Sequence, residues 1–165
     1  MSSEMKANNI SKQDVNNALS FEEAVNSISD LSGGYCKGLR ALKTDSSKIK
    51  PKDLNCLSGS VDIDSCVKRK YPEAARWDFA IGYEEKAYFV EVHPANTSNI
   101  KEMLKKVDWL KSWLRSEGKA LDKIKKDKRL YWVPSGKVAI PRTSPQLRYL
   151  AKNNLCIENC PLILE

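Results

Sequence analysis

The sequence lacks the features that would place the protein in a membrane or outside the cell. No stretch reaches the roughly 18 consecutive apolar residues that a transmembrane helix needs. The N-terminal residues Met1–Asn9 are mostly polar and contain no apolar core, so no secretory signal is expected. These absences predict a protein without membrane association, and a cytoplasmic location follows by default.

Ligands for a structural zinc ion are scarce. The chain has one histidine and five cysteines, and only Cys156 and Cys160 are closely spaced. Because a structural zinc site needs four ligands in a tighter pattern, the cysteines are expected to be reduced thiols in or near the core. The sequence also contains no phosphate-binding loop and no nucleophile elbow, which argues against a small-molecule α/β enzyme.

What the sequence does have is length and positive charge. Residues 19–165 are assigned to one domain, which is long enough to bury its own core, and the polar residues 1–18 to a flexible N-terminal tail. The net charge is +7 and the pI is near 9.1. Nucleic acid is therefore the first partner to consider, because phosphate contacts need Lys and Arg in number. Basicity alone is equally consistent with a solvated surface.

Hydrophobic patterning predicts helices and strands in alternation, which is an α/β fold with a mixed sheet. Five helices are predicted. The first follows an N-cap at Ser20, and the second covers 35–43. The other three begin at Asp62 or Asp64, at Thr97 or Ser98, and at Pro145. The predicted strands are Trp77–Ile81, Ala87–His93, Arg129–Val133, Lys137–Ile140 and Leu162–Leu164. A loop is predicted over 44–59. A hairpin followed by a helical crossover into a further strand accounts for the mixed sheet.

The predicted hairpin carries most of the chemistry. Asp78 lies on its first strand, and Glu91 and His93 share one face of its second strand. A turn over 82–86 gives a register that brings Asp78 and Glu91 together, and two adjacent carboxylates repel unless a cation or a proton lies between them. Such a pair suits Mg²⁺, which can hold a phosphate oxygen and lower the pKa of bound water. His93 could orient that water.

This hairpin resembles the motif of the PD-(D/E)XK nuclease superfamily, in which an Asp on one strand is followed by an acidic-x-Lys triplet on the next. Asp78 matches the Asp, and Glu91-Val92-His93 matches the triplet, with His93 in place of the Lys. Trp77 stands where many members have Pro. The element order from about residue 20 to 164 is also similar. The resemblance implies a restriction-endonuclease-like mixed β-sheet flanked by helices.

The resemblance also implies a function. Mg²⁺ or Mn²⁺ would be held by Asp78, Glu91 and the backbone carbonyl of Val92, and phosphodiester bonds of nucleic acid, DNA rather than RNA, would be hydrolysed. In some members the lysine lies on the neighbouring helix, so Lys101 or Lys105 is expected to supply the positive charge, unless His93 does that work itself. An acidic residue of the first helix assists in some members, and the candidates here are Glu22 and Glu23.

Other interpretations of these residues stay open. Asp78 could simply pair with Arg76, and His93 could be a hydrogen-bonded residue at the end of the sheet. Glu91 is harder to explain away, because a carboxylate buried in an apolar strand needs a partner. The alternative function is a catalytically inactive protein of the same fold that binds nucleic acid or another protein. A homodimer is compatible with the sequence but not indicated by it.

Three lysine-rich segments are expected to follow a nucleic-acid backbone if the protein binds one. They are Lys48–Lys52, Lys68–Lys70 and Lys119–Lys128.

Overall fold

The computed structural model describes residues 18–126 and 129–165. The predicted tail lies outside the described residues except for Ala18, and so does the end of the Lys119–Lys128 segment. The α-helices are α1 (Phe21–Ser27), α2 (Ile63–Val67), α3 (Ile100–Arg115), α4 (Lys119–Asp122) and α5 (Pro145–Lys152). Short 3₁₀ turns cover Ser29–Leu31, Arg40–Lys48, Leu54–Cys56 and Thr97–Asn99. None of these helices is long and apolar enough to cross a membrane.

Two sheets contain the strands. The strands are β1 (Cys36–Lys37), β2 (Ile49–Pro51), β3 (Leu57–Asp62), β4 (Phe79–Tyr83), β5 (Lys86–His93), β6 (Lys125–Lys126), β7 (Leu130–Pro134), β8 (Leu155–Ile157) and β9 (Leu162–Leu164). The larger sheet has the order β1-β3-β4-β5-β7-β8, and β6 pairs with the start of β5. Strands β3, β4 and β5 form an antiparallel meander, whereas β5, β7 and β8 are parallel. The predicted mixed α/β sheet is therefore confirmed.

The larger sheet is covered on both faces. Helices α1, α3 and α5 contribute to a core on one face together with Trp77, Phe89 and Trp132. On the opposite face, Phe79, Ile81 and residues of the Arg40–Lys48 turn pack with the small parallel sheet of β2 and β9. This alternation follows the period of two that the hairpin sequence predicts, because successive strand side chains point to opposite faces. The helix-covered face is the one that carries Glu91 and His93.

The long helix α3 was predicted well except for its cap. Its apolar stripe is buried as expected, at Ile100, Met103, Val107, Leu110, Trp113 and Leu114. The cap is Asn96 rather than Thr97 or Ser98. Asn96 and Asn99 exchange side-chain-to-backbone hydrogen bonds as a capping box at the start of the 3₁₀ turn, from which α3 continues. The predicted helix from Ser20 is also confirmed, because the Ser20 hydroxyl accepts a hydrogen bond from the Glu23 N–H.

Three predicted elements are wrong. The helix over 35–43 is replaced by β1 and by a 3₁₀ turn that is kinked at Lys43, where φ is 51°. The loop over 44–59 contains β2 and the beginning of β3. Strand β3 has a weak apolar pattern because it holds Gly59, where an added Cβ would lie 2.5 Å from the Cys36 carbonyl oxygen. Residues 137–140 make only an isolated bridge between Asn96 and Ala139. The final strand Leu162–Leu164 exists, in the small sheet.

A buried carboxylate joins α3 to the segments beside it. The Asp30 side chain is 5% exposed and accepts hydrogen bonds from the Lys70 ammonium (2.9 Å), the Tyr71 hydroxyl (3.2 Å) and the Trp113 indole N–H (3.1 Å). Burial alone would raise the pKa of Asp30, but these hydrogen bonds and the Lys70 charge outweigh it and hold that pKa below its ordinary value. Asp30 is therefore expected to be structural.

Replacement of Asp30 by Ala should lower the free energy of unfolding by about 3 kcal/mol at pH 7, because the Trp113 and Tyr71 donors lose their acceptor. Since the pKa of Asp30 is lower in the folded protein, the difference in unfolding free energy between wild type and variant should have its full value above about pH 4 and should shrink as the pH falls further. Urea denaturation across this range measures it. Asp45→Ala, which removes a more exposed carboxylate that pairs with Lys48, is the control and should cost under about 1 kcal/mol. Equal losses for the two variants would contradict the prediction.

Candidate active site

The hairpin of β4 and β5 brings Asp78 and Glu91 together in the predicted register. Phe79 pairs with Val90, which places Asp78, just before β4, directly across from Glu91. The Asp78 N–H donates a hydrogen bond to Oε2 of Glu91 (2.8 Å), and the Val92 N–H donates one to Oδ2 of Asp78 (3.1 Å). Each carboxylate is thus held by the backbone of the opposite strand. This exchange fixes both side chains relative to the sheet.

Lys106 of α3 completes the cluster. Its ammonium donates a hydrogen bond to Oε1 of Glu91, and the two side chains are only 15% and 1% exposed. Lys106 lies beside the buried stripe of α3, and the residue that follows it, Val107, is fully buried. A lysine at that position can reach down to the sheet, and this geometry is the feature that could have identified it from the sequence.

The structure does not bring Lys101 or Lys105 to the carboxylates. Both are exposed on α3, and neither forms an ion pair within the described part of the chain. The reason is helical geometry: at about 100° per residue, these two positions lie farther from the buried stripe than Lys106 does. The sequence-based choice of lysine is therefore corrected to Lys106.

His93 lies on the same strand face as Glu91, two residues further on. Its Nε2 is 3.4 Å from Oε2 of Glu102, which is one helical turn before Lys106 on α3. The ring contacts Trp132 edge-on, and its Nδ1 is buried with no hydrogen-bond partner among the described residues. Burial and the Lys106 charge lower the pKa of His93, against the opposing charge of Glu102. Glu91 and His93 of β5 thus face Lys106 and Glu102, which lie one turn apart on α3.

The electrostatics of the cluster favour an extra proton or an added cation. Burial raises the pKa of Glu91 to about 8, and the charge of Asp78 adds to this. Burial also raises the pKa of Asp78 to about 6, against the charge of Lys106. Burial alone would lower the pKa of Lys106, but Glu91 and Asp78 raise it above its ordinary value. Near neutral pH these three groups therefore hold more protons than they would in water.

The segment before Asp78 is held in place by a separate ion pair. Nε of Arg76 donates to Oδ1 of Asp64 (2.7 Å), and the guanidinium also donates to the backbone carbonyls of Tyr71 and Pro72. Arg76 therefore pairs with Asp64 and not with Asp78. The Asp78 carbonyl oxygen accepts a hydrogen bond from the Ile63 N–H (2.8 Å) at the start of α2. Asp78 is thus fixed by its backbone, while its carboxylate is left for the site.

The donor set fits a divalent cation of the Mg²⁺ type. No hydrogen-bond donor among the described residues contacts Oδ1 of Asp78, and Asp78 is only partly buried. No group of three or more His, Cys, Asp or Glu side chains able to hold a metal occurs in the described part of the chain. Two carboxylates suffice for Mg²⁺, which keeps several waters and also binds substrate phosphate, whereas zinc requires more protein ligands.

The other predicted ligands fall into two groups. Val92 lies in β5 between Glu91 and His93, so its backbone belongs to the site. Glu22 and Glu23 are exposed on α1, and Glu23 lines a surface cleft with Glu84 and Glu85 of the hairpin turn. That cleft lies at the end of the hairpin opposite to Asp78, about five residues or roughly 16 Å along β5. The structure therefore does not place the acidic residues of the first helix at the site.

Comparison of the chain with protein-family models, with curated proteins and with solved structures finds no match.

Proposed function

We propose that the protein is a metal-dependent nuclease of the PD-(D/E)XK type that hydrolyses phosphodiester bonds of nucleic acid, with DNA as the preferred substrate. One observation carries the proposal. Glu91, 1% exposed, lies across from Asp78 on adjacent strands, and the Lys106 ammonium contacts Glu91. A structural role would be served by an apolar pair at lower cost, because burying charges is expensive.

The order of the elements supports the proposal. With the short elements β1, β2, α2, α4 and β6 set aside, helix α1 precedes the antiparallel strands β3, β4 and β5, which are followed by the crossover helix α3 and by β7 parallel to β5. This is the order that the resemblance implies for a restriction-endonuclease-like fold. The candidate site lies where that fold would require it, at the start of the second strand of the meander and near the end of the third.

Each residue of the site has a role in this proposal. Asp78 and Glu91 would bind Mg²⁺ or Mn²⁺, together with the Val92 carbonyl, and the bound ion would supply a Lewis acid and an activated water. Lys106 holds a positive charge against Glu91 and would stabilise the negative charge that develops on the scissile phosphate. His93 is the candidate for positioning the attacking water. Because its Nε2 lies against Glu102, that role would fall to Nδ1, which would first have to be uncovered by a movement of the ring.

Lys106 also supplies the positive charge that is missing from the motif, in which His93 stands at the lysine position. A lysine two residues after the acid would project from β5 on the same face as Glu91. Lys106 projects onto that face from the helix packed above it and contacts the same carboxylate. The positive charge is therefore supplied from α3, which leaves His93 available for a different role.

The protein should cut or nick labelled DNA in the presence of Mg²⁺ or Mn²⁺ and should not do so in EDTA, because the carboxylates alone cannot activate water. Plasmid DNA, single-stranded DNA and single-stranded RNA are the substrates to compare, and gel electrophoresis measures the products. A complete absence of cleavage with all three substrates under every divalent ion tested would contradict the proposal.

One observation favours an inactive protein of the same fold as the second candidate. Both carboxylate oxygens of Glu91 already accept hydrogen bonds from protein donors, which satisfies that group without a metal ion. Such a protein would bind nucleic acid or a protein partner at this surface. It would bind DNA equally well in EDTA and in Mn²⁺ and would never cut it, whereas the nuclease should cut only in the presence of the ion.

A further inference from the structure

Two of the three lysine-rich segments that the sequence suggests as nucleic-acid contacts are partly neutralised by nearby acids. Lys48 pairs with Asp45, Lys52 with Glu165, and Lys70 with both Asp30 and Glu117. Ion-paired lysines release fewer counterions from a phosphate backbone than free ones do. These segments are therefore weak candidates for a binding surface.

The Lys119–Lys128 segment is also badly placed. Its described part includes β6, which pairs with Lys86 and Ala87 at the start of β5, at the opposite end of that strand from His93. Lys123 lines the same surface cleft as Glu23, Glu84 and Glu85. A strand bound there would meet carboxylates and would lie far from Asp78 and Glu91.

A different part of the chain has positive charge without acidic neighbours in sequence. From Arg129 to Ile157 there is no Asp or Glu, and the segment carries five cations: Arg129, Lys137, Arg142, Arg148 and Lys152. Lys137, Arg142 and Arg148 are all exposed, and none of them makes an ion pair with any described residue. These three side chains are free to contact phosphates.

Backbone hydrogen bonds fix the loop 135–144 of this segment next to the candidate site. The Ser135 N–H donates to the His93 carbonyl oxygen (3.2 Å), and the Ala139 N–H donates to the Ala95 carbonyl oxygen (2.8 Å). Ile140 is 6% exposed and anchors the loop in the core. The loop from 135 to 144 therefore extends from the end of β5 that carries His93, with Lys137 and Arg142 on its surface.

The same segment also exposes an aromatic ring and an aliphatic side chain. Tyr149 on α5 is 56% exposed beside Arg148, and Val138 in the loop is 50% exposed beside Lys137. An exposed aromatic ring next to cations is the combination that single-stranded nucleic acids use, because bases stack on the ring while phosphates contact the charges. A continuous duplex would leave that ring without a base to stack on.

We propose that the loop 135–144 and the exposed side of α5 form the surface that binds a single strand of nucleic acid and leads it to Asp78 and Glu91. Lys137, Arg142 and Arg148 contact its phosphates, and Tyr149 stacks on a base. This inference rests on the proposed function for its choice of ligand, but it concerns binding and not cleavage.

The test measures binding of a fluorescein-labelled single-stranded DNA of about 20 nucleotides by anisotropy in EDTA, where no cleavage occurs. Lys137→Glu/Arg142→Glu should weaken binding at least about 10-fold, and the slope of log K against log[salt] should fall by about 1.4, at about 0.7 per lost phosphate contact. Tyr149→Ala should weaken binding about 5-fold or more, from the loss of one stacked base.

The control is Lys119→Glu/Lys123→Glu, which changes the net charge by the same amount at two exposed lysines of the opposite end. It should alter the affinity by less than about 2-fold, because its effect is only through long-range charge. Equal losses for the two double variants, no effect of Lys137→Glu/Arg142→Glu, or tighter binding of a blunt duplex of the same length would each overturn the proposal. If the wild-type protein binds the single strand, and the variants behave as expected, but the protein never cuts DNA, the binding surface is supported and the nuclease proposal fails.

Discussion

Asp78→Asn and Glu91→Gln are each expected to reduce metal-dependent cleavage of DNA by about 10³-fold or more, with little change in the fold. The reason is that each substitution removes a negative ligand charge, and the charge stabilisation that a bound metal supplies is worth several kcal/mol. Asn at 78 still offers an oxygen to the Val92 N–H, and Gln at 91 still offers one to the Asp78 N–H. Initial rates in Mn²⁺ and circular dichroism of each variant measure the two effects.

Matched controls for these substitutions lie on the same elements. Asp108→Asn changes an exposed carboxylate on α3, and Glu84→Gln changes one in the hairpin turn at the far end from Asp78. Both should keep the wild-type rate within about 2-fold, because these carboxylates are exposed to solvent and make no contact with Asp78, Glu91 or Lys106. Unchanged cleavage by Asp78→Asn or Glu91→Gln would show that the activity belongs to another site.

Lys106→Met is expected to lower both the free energy of unfolding and the rate of cleavage. It leaves Glu91 buried without its cation, and breaking a buried ion pair in this way costs about 3 kcal/mol of unfolding free energy. Glu91 already has a raised pKa and would be pushed higher, so the folded variant gains stability by keeping Glu91 protonated. Wild-type Glu91 also stays protonated up to its pKa of about 8, so between pH 5 and pH 8 both proteins lose stability in parallel and the difference between them is constant. Above about pH 8 wild-type Glu91 ionises beside Lys106 while Glu91 of the variant does not, so the loss should grow there. Urea denaturation at pH 6 and at pH 9.5 measures it.

The double variant Glu91→Gln/Lys106→Met separates the two roles of the lysine. Without the buried carboxylate there is no charge to leave unpaired, so the double variant should be more stable than Lys106→Met by about 2 kcal/mol. Cleavage should stay lost in both, since the developing phosphate charge has lost a cation that is worth about 10²-fold. If the double variant is as unstable as the sum of the single ones, the ion pair between Glu91 and Lys106 is not what the substitution breaks.

The meeting of Asp78 and Glu91 could be predicted from the sequence because it depends on local rules. Strand alternation assigns each residue to a face, and a short turn determines which residues lie opposite each other. The observed hairpin differs only at its ends: β4 begins two residues later than predicted, and the turn shortens to Glu84 and Glu85. Helix α3 was predictable for the same reason, since apolar residues repeat at helical spacing from Ile100 to Leu114.

Strands β1 and β3 could not be predicted in this way because they depend on contacts between distant segments. Helical spacing distinguishes Lys106, beside the buried stripe of α3, from Lys101 and Lys105, but its contact with Glu91 depends on how α3 packs on β5. Strand β3 has few apolar residues, and it forms because β1 packs closely on Gly59 and because the buried Ser60 hydroxyl accepts a hydrogen bond from the Ala41 N–H. Local propensity carries no information about either contact.

The most direct test is a crystal structure of the protein grown with Mn²⁺, with anomalous diffraction used to locate the ion. A single strong peak within about 2.3 Å of an Asp78 carboxylate oxygen and a Glu91 carboxylate oxygen is the expected result, and it should be absent from crystals of Glu91→Gln grown in the same way. A wild-type structure at the same Mn²⁺ concentration with no peak between the two carboxylates, and with Lys106 still bonded to Glu91, would contradict the metal-dependent nuclease.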